Sequence, residues 1–343
     1  MYQLGFELLS EMTAPSAFYN AGHTGGFSKC HPNTRVAILE RLENWLESHV
    51  EPNASIMWLY GAAGSGKSCI ARSVAEWCQD QNLLLASFLF SRSDSSRNSI
   101  NRFIPTLAYN ITQTVPGSRP YMEDALNADP HIFAKTLEVQ MLHLVLQPLV
   151  RLASHTSATP GFAPPYVFII DGLDECLDQV EQEAIIRLFT SILRRNTGWK
   201  VLITSRPEIR SSFDAFVPAS LSSRIALSNG RESDEDIRRF LEDKLADIKR
   251  KHFRRCYIPT GWPLLSDIDR LVRKSSGQFG SAASIIRYVS FENGDPVGRL
   301  HSILDDGRPM PWRMPWRMPG AQPSADLYSG MSSILSSSLF SVF

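Results

Sequence analysis

The chain has 343 residues, 43% hydrophobic and 20% charged, enough to bury a sizeable core and to suggest about two domains. Lys plus Arg and Asp plus Glu number 35 each, so the net charge is zero and whole-chain electrostatics gives no reason to expect nucleic acid or a membrane surface as partner. Met1 to Met12 holds Glu7 and Glu11 but no basic residue, no apolar run approaches the roughly 18 residues of a membrane span, and the five cysteines show no C-x-x-C pair; these features argue against a secretory signal and for reduced thiols in the cytoplasm.

In chain order, residues 1–28 turn glycine-rich toward their end (Gly22, Gly25, Gly26) and read as a linker within an N-terminal extension to residue 29. The chain tightens at Cys30-His31-Pro32-Asn33-Thr34-Arg35. A helix follows, with Ile38, Leu39, Leu42, Trp45 and Leu46 on one face and Asn33 or Thr34 as cap. Cys30 and His31 have no second ligand pair, so they read as a loop entering that helix.

Ile56-Met57-Trp58-Leu59-Tyr60 is an apolar run of strand length. Gly61-Ala62-Ala63-Gly64-Ser65-Gly66-Lys67-Ser68 comes next and fits G-x-x-x-x-G-K-[S/T] at every fixed position. Ser68 to Asp80 then reads as a helix with Ile70, Val74 and Trp77 on one face. Phosphate binding needs this order of strand, loop and helix. Glycines let backbone N–H groups turn inward, and the helix N-terminus adds partial positive charge. Lys67 is placed to reach outer phosphates, and the Ser68 hydroxyl to bind Mg²⁺. Cys69, in the first helical turn, could have its thiol acidified by the helix end; a small buried residue is the plainer reading.

Leu83 to Phe90 is a second continuous apolar strand. Helices are expected near 98–113 and 131–153, with Pro116, Pro120 and Pro130 breaking the chain between them. Tyr166-Val167-Phe168-Ile169-Ile170 ends in Asp171, a Walker B pattern whose carboxylate can hold Mg²⁺ directly or through water. Asp174 and Glu175 add two carboxylates at the same edge, either of which could orient a water. Asp178 and Glu181 resemble a capping box for a helix carrying Ile185, Leu188, Phe189, Ile192 and Leu193. Trp199-Lys200-Val201-Leu202-Ile203-Thr204-Ser205-Arg206-Pro207 reads as another buried strand that ends in a polar triplet and a proline stop, and Arg206 at its tip can meet a γ-phosphate. A fifth strand is expected at Ile225–Leu227, then helices over 234–251, 264–274 and 280–291. Strands alternating with helices imply a doubly wound α/β layer followed by a smaller helical lid. Met310-Pro311-Trp312-Arg313 repeats as Met314-Pro315-Trp316-Arg317, a low-complexity segment, and 327–343 is serine-rich, like the start of an element whose remainder is absent.

Gly61–Ser68, Phe90-Ser91-Arg92, Ile170-Asp171-Gly172-Leu173-Asp174-Glu175-Cys176 and Thr204-Ser205-Arg206-Pro207 together resemble a NACHT domain, and more closely the nephrocystin-3-like N-terminal NTPase domain of fungal signalling proteins. The resemblance covers about 30–305. It implies an ASCE-type P-loop NTPase of the STAND group: a nucleotide-binding domain over 30–230, a helical subdomain over 231–305 and a tail over 306–343. It further implies ATP and Mg²⁺ as cofactors, Lys67, Asp174, Glu175 and Arg206 as catalytic residues, and Ser68 with Asp171 at the metal. Gly61, Ala62, Ala63, Gly64, Ser65, Gly66, Lys67, Ser68, Cys69 and Arg35 would contact the nucleotide. Arg92 and Arg97 match the family without a derivable role. Gly280-Ser281 depart from the bulky apolar pair usual after Gly277-Gln278-Phe279, which puts the packing of the lid in question.

The function implied is a slowly hydrolysing ATP switch of signal transduction, with innate-immunity-like proteins as the model. ATP is preferred to GTP because no Asn-Lys-x-Asp motif occurs. ATP and ADP are the expected ligands, protein partners or self-association the expected company, and neither nucleic acid nor membrane is expected. The alternative is a non-hydrolysing scaffold stabilised by bound nucleotide. A small-molecule kinase would need an acceptor pocket and an arginine-rich lid, and neither is evident.

Overall fold

The computed structural model describes residues 3–22, 29–47, 54–156, 166–195, 198–228, 230–291 and 294–305. The tail with its Met-Pro-Trp-Arg repeat lies outside these residues, as do Gly25 and Gly26.

Five strands form one parallel sheet: β1 (Ile56–Gly61), β2 (Leu84–Leu89), β3 (Val167–Asp171), β4 (Lys200–Ser205) and β5 (Ser222–Leu227), in the order β2-β3-β4-β1-β5. The strands read as unbroken apolar runs because both faces are covered. Side chains alternate between faces, so Trp58, Phe88, Phe168, Ile170 and Ile203 enter one core layer while Met57, Leu59, Ile169 and Leu202 enter the other. Helices α2 (Val36–Glu47) and α3 (Lys67–Asp80) cover the second layer. The first layer is covered by α4 (Phe103–Thr114), α5 (Arg119–Ala128), the continuous pair α6 (Leu137–Met141) and α7 (Gln147–Thr156), and α8 (Gln179–Leu193). Short α9 (Arg210–Phe216) follows β4.

Several elements depart from the sequence reading. The stretch read as a linker opens with helix α1 (Gln3–Glu11), which packs on α4 and α5 and leads Leu9, Ala14 and Ala17 into the core with no exposure. Gly5 weakens the helical signal, yet a Cβ there would stand 3.3 Å from Leu126 Cβ, so the glycine allows the two helices to approach. Helix α5 occupies the region expected to be broken by prolines. Pro120 sits in its first turn, where no intrahelical donor is needed. Between α6 and α7 the chain makes a π-helical turn over Leu142–Leu146, directly before Pro148, which has no N–H to offer the preceding turn.

The helical lid comprises α10 (Arg231–Lys251), α11 (Leu265–Ser275), α12 (Phe279–Val289) and α13 (Pro296–Leu304), with its own core from Ile237, Phe240, Leu241, Leu245, Leu271, Ile285, Val289 and Leu300. Helix α13 was not anticipated. Asp295 caps it by accepting from the N–H groups of Val297 and Gly298, and Pro296 starts it.

Candidate functional site: the phosphate loop and its acidic neighbours

The site lies at the carboxyl ends of β1, β3 and β4. Parallel pairing sets Leu59 beside Thr204 and Tyr60 beside Ser205, and Ile170 beside Ile203, so the three strand tips end at one edge. Gly61 closes β1 against β5, where a Cβ would stand 2.9 Å from Leu227 Cβ. In the loop that follows, Gly64 (φ +75°) and Gly66 (φ +95°) adopt the left-handed conformation, which side-chain-bearing residues rarely take. Helix α3 starts at Lys67, so its first N–H groups have no intrahelical partner. The Lys67 ammonium donates to the carbonyls of Gly61 (2.7 Å) and Ala62 (2.9 Å). Burial lowers its pKa, opposed by the charges of Asp174, Asp171 and Glu175.

Asp171 is buried. Its Oδ1 accepts from the Thr204 hydroxyl at 2.5 Å, and its carboxylate also accepts from Ser68. Burial raises its pKa, the Thr204 and Ser68 bonds opposing. The structure thus brings Ser68 and Asp171, both expected at the metal, within hydrogen-bond reach of each other. Thr204 takes a second role, its Oγ1 accepting from Gly172 N–H at 3.0 Å, so the hydroxyl fixes the turn out of β3. Arg72 stands one helical turn beyond Ser68. Its Nε is buried without a hydrogen-bond partner, and its charge acts on Asp171. Its only sequence signal was the four-residue spacing from Ser68.

Asp174 and Glu175 lie in a tight turn, Leu173–Glu175, closed by Glu175 N–H to Gly172 O at 2.7 Å. The two carboxylates have different surroundings. Both oxygens of Asp174 face Arg206: Oδ1 accepts the Arg206 backbone N–H at 2.8 Å, and Oδ2 is 3.2 Å from Arg206 Nε. Glu175 Oε2 accepts only the backbone N–H of Arg92, at 3.1 Å, among the described residues. Burial raises the Glu175 pKa, and the nearby Asp174 and Asp171 charges add to the rise. Arg92 also donates from its guanidinium to the Asp174 carbonyl at 2.9 Å, and Arg97 bonds Asp94 and the Leu89 carbonyl at the end of β2. The two arginines thus brace the loop that backs the acidic turn.

The opposite wall is the lid. A cavity of about 680 Å³ runs between the phosphate loop and α10 and α12, lined among others by His31, Lys67, Glu175, Arg206, Phe240 and Phe279. Arg35 spans the two walls. Its Nη2 donates to Ser65 O (3.1 Å) and Ser233 Oγ (3.2 Å), its backbone N–H to Asp236 (2.9 Å), and its guanidinium lies 4.9 Å from the centre of the Phe279 ring. With φ +57° and 7% exposure, Arg35 is a strut between phosphate loop and lid. Ser233 and Asp236 had no separate sequence signal, and Phe279 was marked only by the family stretch Gly277-Gln278-Phe279.

Gly280 supplies the second tie, its N–H donating to Gly64 O at 2.8 Å. The sequence expectation that Gly280 weakens the packing of the lid is therefore corrected: a Cβ at 280 would stand 2.9 Å from Gly64 Cα, and the glycine is what permits the contact. For Cys69 the plainer of the two sequence readings, a small buried residue, is the one that matches its burial. Burial pushes its thiol up to about 12, overriding any acidifying effect of the helix end. The capping box at α8 is half formed. Asp178 accepts from Val180 N–H, whereas Glu181 turns away to accept from Ile100 N–H.

A phosphate loop before a helix, a buried strand-tip aspartate and a parallel sheet in this order make a P-loop NTPase-like α/β fold. The family described as Nephrocystin 3, N-terminal matches residues 34–206, just over half of the chain. The chain belongs to that family. The match ends at Arg206, so the lid lies beyond it. No curated protein matches the chain. Among solved structures, Drosophila ORC bound to DNA is similar with 13% identity and a TM-score of 0.37, over 84% of this chain and 60% of that one. Drosophila ORC bound to poly(dA/dT) DNA and Cdc6 is similar with 10% identity and a TM-score of 0.38, over 87% of this chain and 44% of that one. The chain thus spans less than two thirds of either structure's chain. No helix among the described residues is long and apolar enough to cross a membrane.

Proposed function

We propose that the chain is a NACHT-type nucleotide switch that binds ATP with Mg²⁺ between its phosphate loop and its lid and hydrolyses it slowly. The observation that carries this reading is the pair of ties from the loop itself, Gly64 O to Gly280 N–H directly, and Ser65 O to Arg35, which in turn reaches Ser233 and Phe279 of the lid. A phosphate seated on that loop would be felt by α12 without any intermediary.

The residues fit the cofactor. The left-handed Gly64 and Gly66 form a cradle, and the free N–H groups at the start of α3 would favour an anion there. Ser68 and Asp171 supply two hard oxygen donors. Among the described residues no group of three or more His, Cys, Asp or Glu side chains is arranged around a metal, so a cation here would take its remaining ligands from water and phosphate, as Mg²⁺ commonly does. When bound, the Mg–nucleotide supplies an activated phosphoryl group.

The rest is the work of the chain. Lys67 would leave its two carbonyls for the outer phosphates. Asp174 holds Arg206 at the strand tip, where the guanidinium is positioned to meet a γ-phosphate. Glu175 has a carboxylate engaged only by a backbone amide, which makes it the better candidate to orient a water and take its proton. Asp174 serves as the arginine's anchor, which resolves the two carboxylates into separate roles.

The test is ATP binding and single-turnover hydrolysis in wild type, Glu175→Gln and Lys67→Ala. Slow turnover in wild type, binding without turnover in Glu175→Gln, and no binding in Lys67→Ala are expected. Binding by wild type with no turnover at all would mean a nucleotide-stabilised scaffold instead.

A further inference from the structure

The chain's charge is neutral overall but unevenly placed. Helix α10 is acidic in its first turn, with Glu232 and Asp234, and basic in its last, with Lys249, Arg250 and Lys251. Cations at a helix C-terminus are ordinary, since they complement its partial negative charge. Here the basic run continues past the helix into Arg254 and Arg255, where that explanation no longer applies.

The run is built around two bare aromatic rings. Phe253 is 58% exposed and Tyr257 is 81% exposed. All five residues from Phe253 to Tyr257 are exposed, and they are pinned at both ends by buried His252 and Ile258. His252 sets the turn. Its Nδ1 accepts from Arg254 N–H at 3.1 Å, and its Nε2 lies 3.3 Å from the Phe291 carbonyl. Asp247 is the acidic residue that faces this group, and it pairs with Arg250 and Lys251. Lys249 donates to the Thr260 carbonyl, drawing the following segment against the end of α10. Arg254 stacks on Phe253, 5.4 Å from the ring centre. Arg255 makes no contact with an acid among the described residues. The start of α11 adds two more bare apolar side chains, Leu264 and Leu265.

We propose that this tip between α10 and α11 attaches the protein to a membrane surface rich in acidic phospholipid. The arginines and lysines would meet the phosphate headgroups, and Phe253 and Tyr257 would enter the interfacial layer. Clustered cations with aromatic and leucine side chains beside them are the chemistry that such a surface selects. Its outward shape favours this over single-stranded nucleic acid, which is generally held in a groove where successive bases stack. The site is remote in sequence from the phosphate loop and does not depend on the nucleotide reading.

The test is co-sedimentation of the full chain with vesicles of phosphatidylcholine alone or with roughly 30% phosphatidylserine. Binding only to the acidic vesicles, weakening as salt rises, is expected. Arg254→Glu with Arg255→Glu is expected to lower it by tenfold or more, at about tenfold per 1.4 kcal/mol and ~1 kcal/mol per cation removed. Phe253→Ser with Tyr257→Ser should weaken binding while leaving its salt dependence intact. Both double variants change exposed side chains and should melt with wild type. No binding, equal binding to neutral vesicles, or unchanged binding by the arginine variant would overturn the proposal. So would an oligonucleotide that binds the tip more tightly than acidic vesicles do at equal phosphate concentration.

Discussion

The carbonyl of Gly64, in the phosphate loop, accepts the backbone N–H of Gly280 at the start of α12 at 2.8 Å. A methyl group at 280 would stand 2.9 Å from Gly64 Cα, against backbone that has no side chain to swing aside. Gly280→Ala is therefore expected to destabilise the protein by about 1–3 kcal/mol, as overpacking does. It should also weaken nucleotide binding, because α12 must back away from the loop. Ser281→Ala, whose hydroxyl makes only a 3.5 Å contact with Gln278, should change stability by no more than about 0.5 kcal/mol. Denaturant melts of the two variants decide the matter.

Arg206 and Asp174 form the second pairing to probe. Arg206 is 44% exposed on its side chain and held at the strand tip by a carboxylate that is itself 9% exposed. Arg206→Ala should keep nucleotide binding, since Lys67 and the loop are untouched, but lose preference between ATP and ADP. A switch requires unequal affinity for its two ligands. Titration calorimetry with both nucleotides on wild type and variant measures this. Equal preference in the wild type would count against the switch.

Glu175 carries a pH signature. Burial raises its pKa above the ordinary glutamate value, so the folded state favours the protonated acid. A raised folded-state pKa contributes stability that is complete below the unfolded value and is lost as pH rises through the folded value. Glu175→Gln, which keeps a neutral side chain throughout, should melt higher than wild type at neutral pH. The difference should vanish on acidification below the unfolded value. Hydrolysis has the opposite dependence, because the proposed base must be ionised. The acid limb of turnover should therefore lie above the ordinary carboxylate range.

The cysteines can be read by alkylation. Cys69 is held at about 12 by burial, and burial also raises Cys30 and Cys78. At pH 8 a thiol of pKa 12 has about one thiolate in ten thousand. Cys256 is exposed. One thiol, Cys256, should react promptly with iodoacetamide in the folded protein, and Cys69 only on unfolding. Peptide mapping after a timed pulse shows which; rapid labelling of Cys69 would mean that the start of α3 opens readily.

Much of the nucleotide-binding half was legible in the sequence for one physical reason. The loop, the strand-tip aspartate and the buried parallel strands are each specified by neighbours in sequence: glycine spacing, a carboxylate ending an apolar run, a run covered on both sides. The parts that were misread depend on contacts across the chain. Helix α1 was read as part of a linker because Gly22, Gly25 and Gly26 marked the stretch as glycine-rich, and what orders it is its packing on α5, where Gly5 stands against Leu126 and Asn127. Helix α5 was hidden because Pro120 reads as a break unless its place in the first turn is known.

The sequence by itself determined which residues would stand at the carboxyl edge of the sheet, because a parallel strand delivers whatever follows its last apolar residue to that edge. Only the tertiary structure decided what surrounds each of them. Asp174 and Glu175 are adjacent carboxylates in the chain, yet one is bound on both oxygens to Arg206 and the other only to the Arg92 amide. Arg35 was set near the nucleotide only by the family resemblance, and Gly280 has no local signal that sets it against the phosphate loop. Their roles come from the lid folding back across 198 or more positions of sequence, from Arg35 to Ser233 and from Gly64 to Gly280, where long-range packing rather than local preference chooses the contact.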